Sequence, residues 1–169
     1  GGRVIARRDE PQNTGSQLRE RILDALRHLL SERTFDTLSV ADVIAAADWI
    51  LANKGTYNIK VANFSLQSTM AGSFMYDPLN KAVEKLWFSG VVVVAAAGNY
   101  GENGQPTTVA YAPGNDPFVI SVGASDTNST GWTSTDDTAA PWSAYGYTLD
   151  GFAKPDLVIS NLAGNQITN

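Results

Sequence analysis

Residues 90–99 read GVVVVAAAGN, four valines followed by three alanines, a glycine and an asparagine. Because four consecutive valines do not alternate with polar residues, they predict a strand that is covered on both faces, as is typical of parallel sheets in α/β proteins. Ligands of such sheets bind at the carboxyl ends of the strands, and Asn99 lies just past that end. Its side-chain amide could donate a hydrogen bond to an oxyanion. A buried strand that ends in a Gly-Asn turn explains the same residues equally well.

The residues around this run predict alternating helices and strands. Asp77 and Pro78 are typical of a helix N-terminus and Gly90 of the residue just past a helix end, so a helix is expected directly before the valine strand. Further strands are expected at 59–66, 118–123 and 157–160, with a short one near 142–147. The buried face of the helix is expected to comprise Leu79, Ala82, Val83 and Leu86.

The composition of the 169-residue chain limits its partners and its chemistry. The net charge of −5 argues against binding of nucleic acid or anionic membranes by the chain as a whole. The absence of cysteine excludes disulfides and thiolate chemistry. No apolar run approaches the roughly 20 residues of a membrane helix, and the first residues lack the apolar core of a signal peptide. We therefore expect neither nucleic acid nor a membrane as a partner.

The N-terminal part of the sequence differs from the rest in its basic residues. Every arginine lies at or before Arg33, whereas every lysine lies at or after Lys54. Two sequence histories joined near residues 40–48 would explain this division and would make the chain a chimera. Residues 1–15 are polar and are expected to be a disordered lead, followed by a helix. His28, the only histidine, projects away from the apolar stripe of that helix and is interpreted as a solvated surface residue.

Residues 18–26 (LRERILDAL) and 31–45 (SERTFDTLSVADVIA) resemble the N-terminus of TetR-family transcriptional regulators. The segment 16–47 is therefore interpreted as an incomplete helix-turn-helix. The following residues continue the same helix and end it at Gly55, so the recognition helix that would read base edges is missing. A DNA-binding regulator is kept only as a second alternative.

A second resemblance covers residues 42–158 and is to the subtilisin-like serine peptidases, the subtilases of peptidase family S8. Order and spacing both match the family. The resemblance implies that residues 42–169 form an incomplete subtilase-like α/β segment, a partial parallel sheet with flanking helices, preceded by the helical segment 16–47. The family is commonly secreted, which leaves the localisation of this chain open. The matching motifs are residues 42–50, 59–66, 82–99, 117–124 and 154–158.

The resemblance implies one catalytic group and two walls of a substrate cleft. Asn99 matches the family's oxyanion asparagine. Ser65 and Leu66 match a segment whose backbone pairs with substrate, and residues 96–98 match one side of the primary specificity pocket. Gln67 stands where the family usually has glycine, and it is expected to crowd the cleft. The substrate-binding residues implied in this way are Ser65, Leu66, Gln67, Ala96, Ala97 and Gly98.

The Asp/His/Ser triad of the family has no counterpart in this sequence. The family's aspartate and histidine motifs precede the helix at Asp42, where this chain has the regulator-like segment, and its Gly-Thr-Ser-X-Ala-X-Pro serine motif would follow Asn169. Subtilase chemistry needs all three groups together with the oxyanion donor. We therefore predict a catalytically inactive subtilase-derived fragment or chimera. The alternative is part of an active serine endopeptidase whose triad lies outside this chain.

Expected ligands follow from the same residues. No cofactor or metal ion is expected, since Asp136 and Asp137 form an isolated loop pair that is interpreted as solvated. An extended peptide in the cleft is the expected partner. An open sheet edge, where strands of a complete sheet are lacking, is expected to permit self-association.

Overall fold

The computed structural model describes residues 38–128 and 135–160. The chain divides after Ser39, and the elements described here belong to the second unit, residues 40–169. The expected lead, the first helix with His28 and most of the regulator-like segment lie outside the described residues. The described elements are α1 (Val40–Tyr57), β1 (Val61–Phe64), α2 (Pro78–Phe88), β2 (Val92–Ala96), β3 (Thr107–Thr108), β4 (Ile120–Asp126), β5 (Thr138–Ala139), β6 (Gly146–Tyr147), β7 (Ala153–Lys154) and β8 (Leu157–Ser160).

The main sheet is parallel and runs in the order β1, β2, β4, β8. β5 adds an antiparallel pairing at the end of β4, and β3, β6 and β7 form a second small sheet. The predicted α/β arrangement, a parallel sheet with flanking helices, is therefore observed. The sequence does not predict β3, β5 and β7, because strands of two residues are too short to show a period.

Helix α2 begins and ends where its sequence signals predict. The Asp77 Oδ1 accepts hydrogen bonds from the backbone N–H groups of Leu79 at 2.8 Å and Asn80 at 3.2 Å, and Pro78 fills the first helical position. Beyond the last helical turn, Gly90 has a φ of 89°, a conformation that favours glycine. The chain therefore turns directly from α2 into β2.

Helix α1 ends later than predicted. The predicted C-terminus at Gly55 is wrong, because the helix continues to Tyr57. The residue that leaves the helix is Asn58, which has a φ of 52°. Asparagine tolerates this left-handed conformation better than most residues, so it ends helices in the way that glycine more often does.

One face of the main sheet is covered by both helices. On this covered face Val93 and Ala95 of β2 pack against Val83 and Leu86 of α2, and Ala47 of α1 joins the same cluster. Val83, Leu86 and Val93 have no exposed surface. Each such side chain contributes roughly 1.5–3 kcal/mol relative to an exposed position, so this cluster is the main source of stability.

The opposite face of the sheet, here called the open face, is not covered in the same way. Its members are adjacent in the register, with Val61 beside Val92, Val94 beside Ile120 and Val122 beside Leu157. Val61 is 58% exposed, Leu157 56% and Val92 39%. The predicted two-sided burial of the valine run is therefore wrong for this structure, because both described helices pack on the other face. The open face comprises Val61, Val92, Val94, Ile120, Val122, Leu157 and Ile159.

Candidate functional site

Two chain segments leave the carboxyl ends of neighbouring strands and lie side by side. Phe64, the last residue of β1, pairs in register with Ala95 of β2. Residues 65–67 and residues 96–99 therefore continue from adjacent strand ends, which is the usual ligand position of a parallel sheet. The structure brings together all seven predicted site residues, and their functional roles stay predictions.

The first segment, residues 65–67, has unused backbone hydrogen-bonding groups. Within the described residues, Ser65, Leu66 and Gln67 make no backbone–backbone hydrogen bond beyond the pairing of β1. The segment is nevertheless anchored at its far end, where the Ser68 N–H donates to the Ala112 carbonyl at 2.7 Å and the Ala112 N–H donates to the Ser68 Oγ at 3.1 Å. An anchored strand with free backbone groups can pair with an extended peptide.

The second segment, residues 96–98, is anchored by backbone hydrogen bonds to β4 and to the loop at Ala144. The Ala97 N–H donates to the Val122 carbonyl at 2.9 Å, and the Gly98 carbonyl accepts from the Ala144 N–H at 2.9 Å. Gly98 has a φ of 115°, which only glycine adopts readily, and this conformation directs the chain out of the sheet toward Asn99. The wall formed by these residues is therefore part of the scaffold and not of a mobile loop.

Asn99 is exposed at the end of this wall. Its side chain makes no hydrogen bond with any of the described residues, so its amide N–H groups are available to a ligand. The chain beyond it is fixed, since Tyr100 stacks on Tyr111 at a centroid distance of 4.4 Å and the Gly101 N–H donates to the Trp142 carbonyl at 2.8 Å. This combination of a free amide on an anchored turn suits the stabilisation of a developing negative charge.

Gln67 lies across the space between the two segments. A Cβ placed on Gly98 would lie 2.5 Å from the Gln67 Oε1. That oxygen is buried and has no hydrogen-bond partner among the described residues. Gln67 therefore lies against Gly98, and the crowding of a substrate cleft by this side chain stays a prediction.

A buried polar network next to α2 is not predicted from the sequence. The Asn80 Nδ2 donates to the Asn115 Oδ1 at 2.9 Å, and the Asn115 Nδ2 donates to the Gly72 carbonyl at 2.9 Å. The neighbouring Asp116 is fully buried, and its Oδ1 accepts from the Phe118 N–H at 2.9 Å. Burial, which disfavours the charged carboxylate, raises the pKa of Asp116 to about 6. The network fixes the loop that precedes β4. In the sequence, the only indication of this network is the polar Asn80 within the otherwise apolar face of α2.

Lys154 fixes the end of β7 against the main sheet. Its side chain is almost fully buried, and its Nζ donates to the Val119 carbonyl at 2.8 Å and to the Asp156 Oδ2 at 2.7 Å. The same carboxylate accepts from the Ser121 N–H at 2.7 Å. This pairing satisfies a buried charge, and it holds β8 in register with β4.

A cavity among the described residues does not coincide with the candidate site. It has a volume of about 540 Å³, and Gly123, Ser143, Lys154 and Pro155 are among its lining residues. None of the seven predicted site residues lines it. Among residues 38–128 and 135–160, no group of three or more histidine, cysteine, aspartate or glutamate residues is placed to hold a metal ion. The same residues contain no helix that is long and apolar enough to cross a membrane.

Comparisons with known proteins identify the family of the chain. A family model described as the subtilase family matches residues 30–167. The serine protease AprX of Bacillus subtilis (strain 168) is 37% identical over 125 residues, covering 71% of this chain and 27% of AprX. Subtilisin DY of Bacillus licheniformis is 33% identical over 127 residues, covering 75% of this chain and 40% of that protein. In the solved structure of Sphericase, the matching part covers 72% of this chain and 38% of Sphericase, with a TM-score of 0.53 and 25% identity.

These matches support one of the two sequence resemblances. The resemblance of residues 42–158 to subtilases is confirmed, and the family match extends beyond it at both ends. The resemblance of residues 16–47 to TetR regulators is not supported, and neither is the interpretation as a chimera. The chain spans only about a quarter to two fifths of the length of AprX and Subtilisin DY.

Proposed function

The chain belongs to the subtilase family, and from this premise we propose that it supplies the substrate cleft and the oxyanion donor of a subtilisin-like serine endopeptidase. The observation that carries the proposal is the pairing of two features at adjacent strand ends. Among the described residues, residues 65–67 make no backbone–backbone hydrogen bond beyond the pairing of β1, and the Asn99 side-chain amide makes none. An extended peptide paired with residues 65–67 would therefore run past the Asn99 side chain.

The proposed role of Asn99 is to donate a hydrogen bond to the oxyanion that forms when a peptide carbonyl is attacked. One such donor lowers the barrier by about 2.7–4 kcal/mol. That effect is useful only where a nucleophile and a base create the oxyanion. The only histidine of the chain is His28, which lies outside the segment resembling the catalytic family. We therefore propose that the 169-residue chain does not hydrolyse peptides by itself.

The open face supports the idea that the proposed enzyme includes further polypeptide. A face of valine, leucine and isoleucine side chains is stable when another layer covers it. The relatives AprX and Subtilisin DY are at least twice as long as their matching parts. In the proposed enzyme, the residues that cover the open face also carry the triad.

Titration of the isotopically labelled chain with a peptide tests the cleft. An acetylated tetra-alanine amide should shift the backbone NMR signals of residues 65–67 and 97–99, and its D-enantiomer should shift them less because it cannot pair in the same register. Shifts of equal size for both peptides, or shifts confined to other residues, would contradict the proposed cleft.

A fluorophosphonate probe tests the proposed lack of independent activity. No serine of the purified chain should be labelled, because no base activates it. Labelling that disappears in the His28→Ala variant would show that the chain carries its own nucleophile and base. In that case the proposal that the chain supplies the cleft and the oxyanion donor, but not the nucleophile and base, would be wrong.

A further inference from the structure

The geometry points to Gln67 as a specificity-determining residue of the proposed peptide cleft. Resting on that proposed cleft, we infer that Gln67 closes the space beside Gly98 to large apolar side chains and leaves room for small ones. The ligand class is then an extended peptide with glycine, alanine or another small residue at the position that faces Gly98.

The width of the space cannot adjust through the backbone. On one side, Gln67 is followed by Ser68, whose N–H and Oγ are both tied to Ala112. On the other side, Gly98 is tied to Ala144. Because both walls are anchored, the side chain of Gln67 is the part that decides how much room a ligand has.

The position of the Gln67 amide decides which ligands fit. Its Oε1 lies where even a single methyl group on Gly98 would collide with it. A large apolar ligand side chain that enters this space would bury the amide further. Among the described residues the Oε1 has no hydrogen-bond partner, and an apolar ligand supplies none, so the amide would stay buried and unpaired. A small residue avoids this cost.

Removing the Gln67 amide should open the space. In Gln67→Ala the anchored walls stay in place, so a ligand residue as large as phenylalanine should enter where the amide lay. The matched control is Gln105→Ala, which removes the same groups from an exposed glutamine outside the cleft. Circular dichroism of both variants checks that they keep the fold.

NMR titration with two peptides tests the inference. The probes are acetyl-Ala-Ala-Ala-Ala-amide and acetyl-Ala-Ala-Ala-Phe-amide, read out at the backbone signals of residues 65–67 and 97–99. The wild-type chain and Gln105→Ala should prefer the first peptide, and Gln67→Ala should gain about tenfold in affinity for the second. Binding of both peptides with an unchanged preference in Gln67→Ala would overturn the role of Gln67 and leave the cleft standing. Absence of binding of either peptide to all three proteins would overturn the cleft and the role of Gln67 together.

Discussion

The two faces of the main sheet are built from similar side chains and have different surroundings. On the covered face Val93 is fully buried, whereas on the open face its neighbour Val92 is 39% exposed. Register pairs Val92 with Val61, which is 58% exposed. The contrast shows that the main apolar cluster of the described residues lies on the covered face. The open face is apolar for a reason that lies outside them, which we propose is the remainder of a longer peptidase.

The largest expected effect is the loss of stability when a charged residue replaces a valine on the covered face, compared with the same replacement on the open face. Val93→Asp puts an unpaired carboxylate into the core, which costs several kcal/mol, and the chain should be unfolded at neutral pH. Val92→Asp, one residue away on the open face, should lower the free energy of unfolding by less than about 1 kcal/mol. Urea unfolding followed by circular dichroism measures both variants. Equal effects of the two substitutions would remove the distinction between the faces.

A pH-dependent effect is expected at Asp116, which is buried beside α2. Its pKa of about 6 lies above its ordinary value of 3.8, chiefly because burial disfavours the carboxylate, with Glu84 adding to the effect and Phe118, Lys154 and Lys81 opposing it. Between these two pH values the folded chain holds its proton more tightly than the unfolded chain, so stability falls as the pH rises from about 4 to 6. The loss is at most about 3 kcal/mol.

Asp116→Asn tests this pH dependence. Because asparagine does not ionise, the variant should gain stability relative to the wild type as the pH rises through that window. Urea unfolding at several pH values between 4 and 7 measures the difference, with the exposed Asp126→Asn as the matched control. A difference that shrinks with rising pH would show that the Asp116 carboxylate is stabilised and not destabilised by its surroundings.

The open face should also affect association of the chain with itself. The expectation of self-association through an open sheet edge stays a prediction. Two adjacent residues of β8, Val158 and Ile159, allow the contribution of the open face to be tested. Ile159, which is 62% exposed, lies on the open face, and the adjacent Val158, which is 57% exposed, points to the opposite side. Ile159→Lys should weaken self-association by roughly tenfold in sedimentation experiments, and Val158→Lys should weaken it less. Equal weakening would assign the contact to the backbone edge of β8.

The smallest expected effect concerns the helix that covers the buried face. Asp77→Ala removes the side-chain acceptor for the Leu79 and Asn80 N–H groups, and it should lower the free energy of unfolding by about 1 kcal/mol. Asp77→Asn keeps an acceptor and should be close to neutral. Thermal unfolding can compare the two variants, and an equal loss in both would mean that charge, and not capping geometry, stabilises α2.

Features set by neighbouring residues could be predicted from the sequence. Asp77, Pro78 and Gly90 define the ends of α2 by local backbone chemistry, and the apolar period of the helix identifies its buried face. The end of α1 could not be predicted as well, because Gly55 and Asn58 compete as helix terminators and only tertiary packing decides between them.

Features set by residues far apart in the sequence were accessible only in part. The resemblance to subtilases identified both segments of the proposed cleft. The contact between Gln67 and Gly98 could not be predicted, because it depends on the register of β1 with β2. The burial of Asp116 depends on how α2 sits over the loop before β4, which no local pattern encodes. Two-sided burial of the valines failed because one of the two faces has no covering layer among the described residues.

Hydrogen–deuterium exchange tests the central claim, that residues 65–67 form a peptide-pairing strand beside Asn99. The amides of these residues should exchange rapidly in the free chain, because they make no backbone–backbone hydrogen bond to the described part of the chain beyond the pairing of β1. They should exchange slowly in the presence of saturating acetylated tetra-alanine amide. The exposed edge strand β8 serves as the internal reference, and its exchange should not change. Slowed exchange at β8 with unchanged exchange at residues 65–67 would contradict the account.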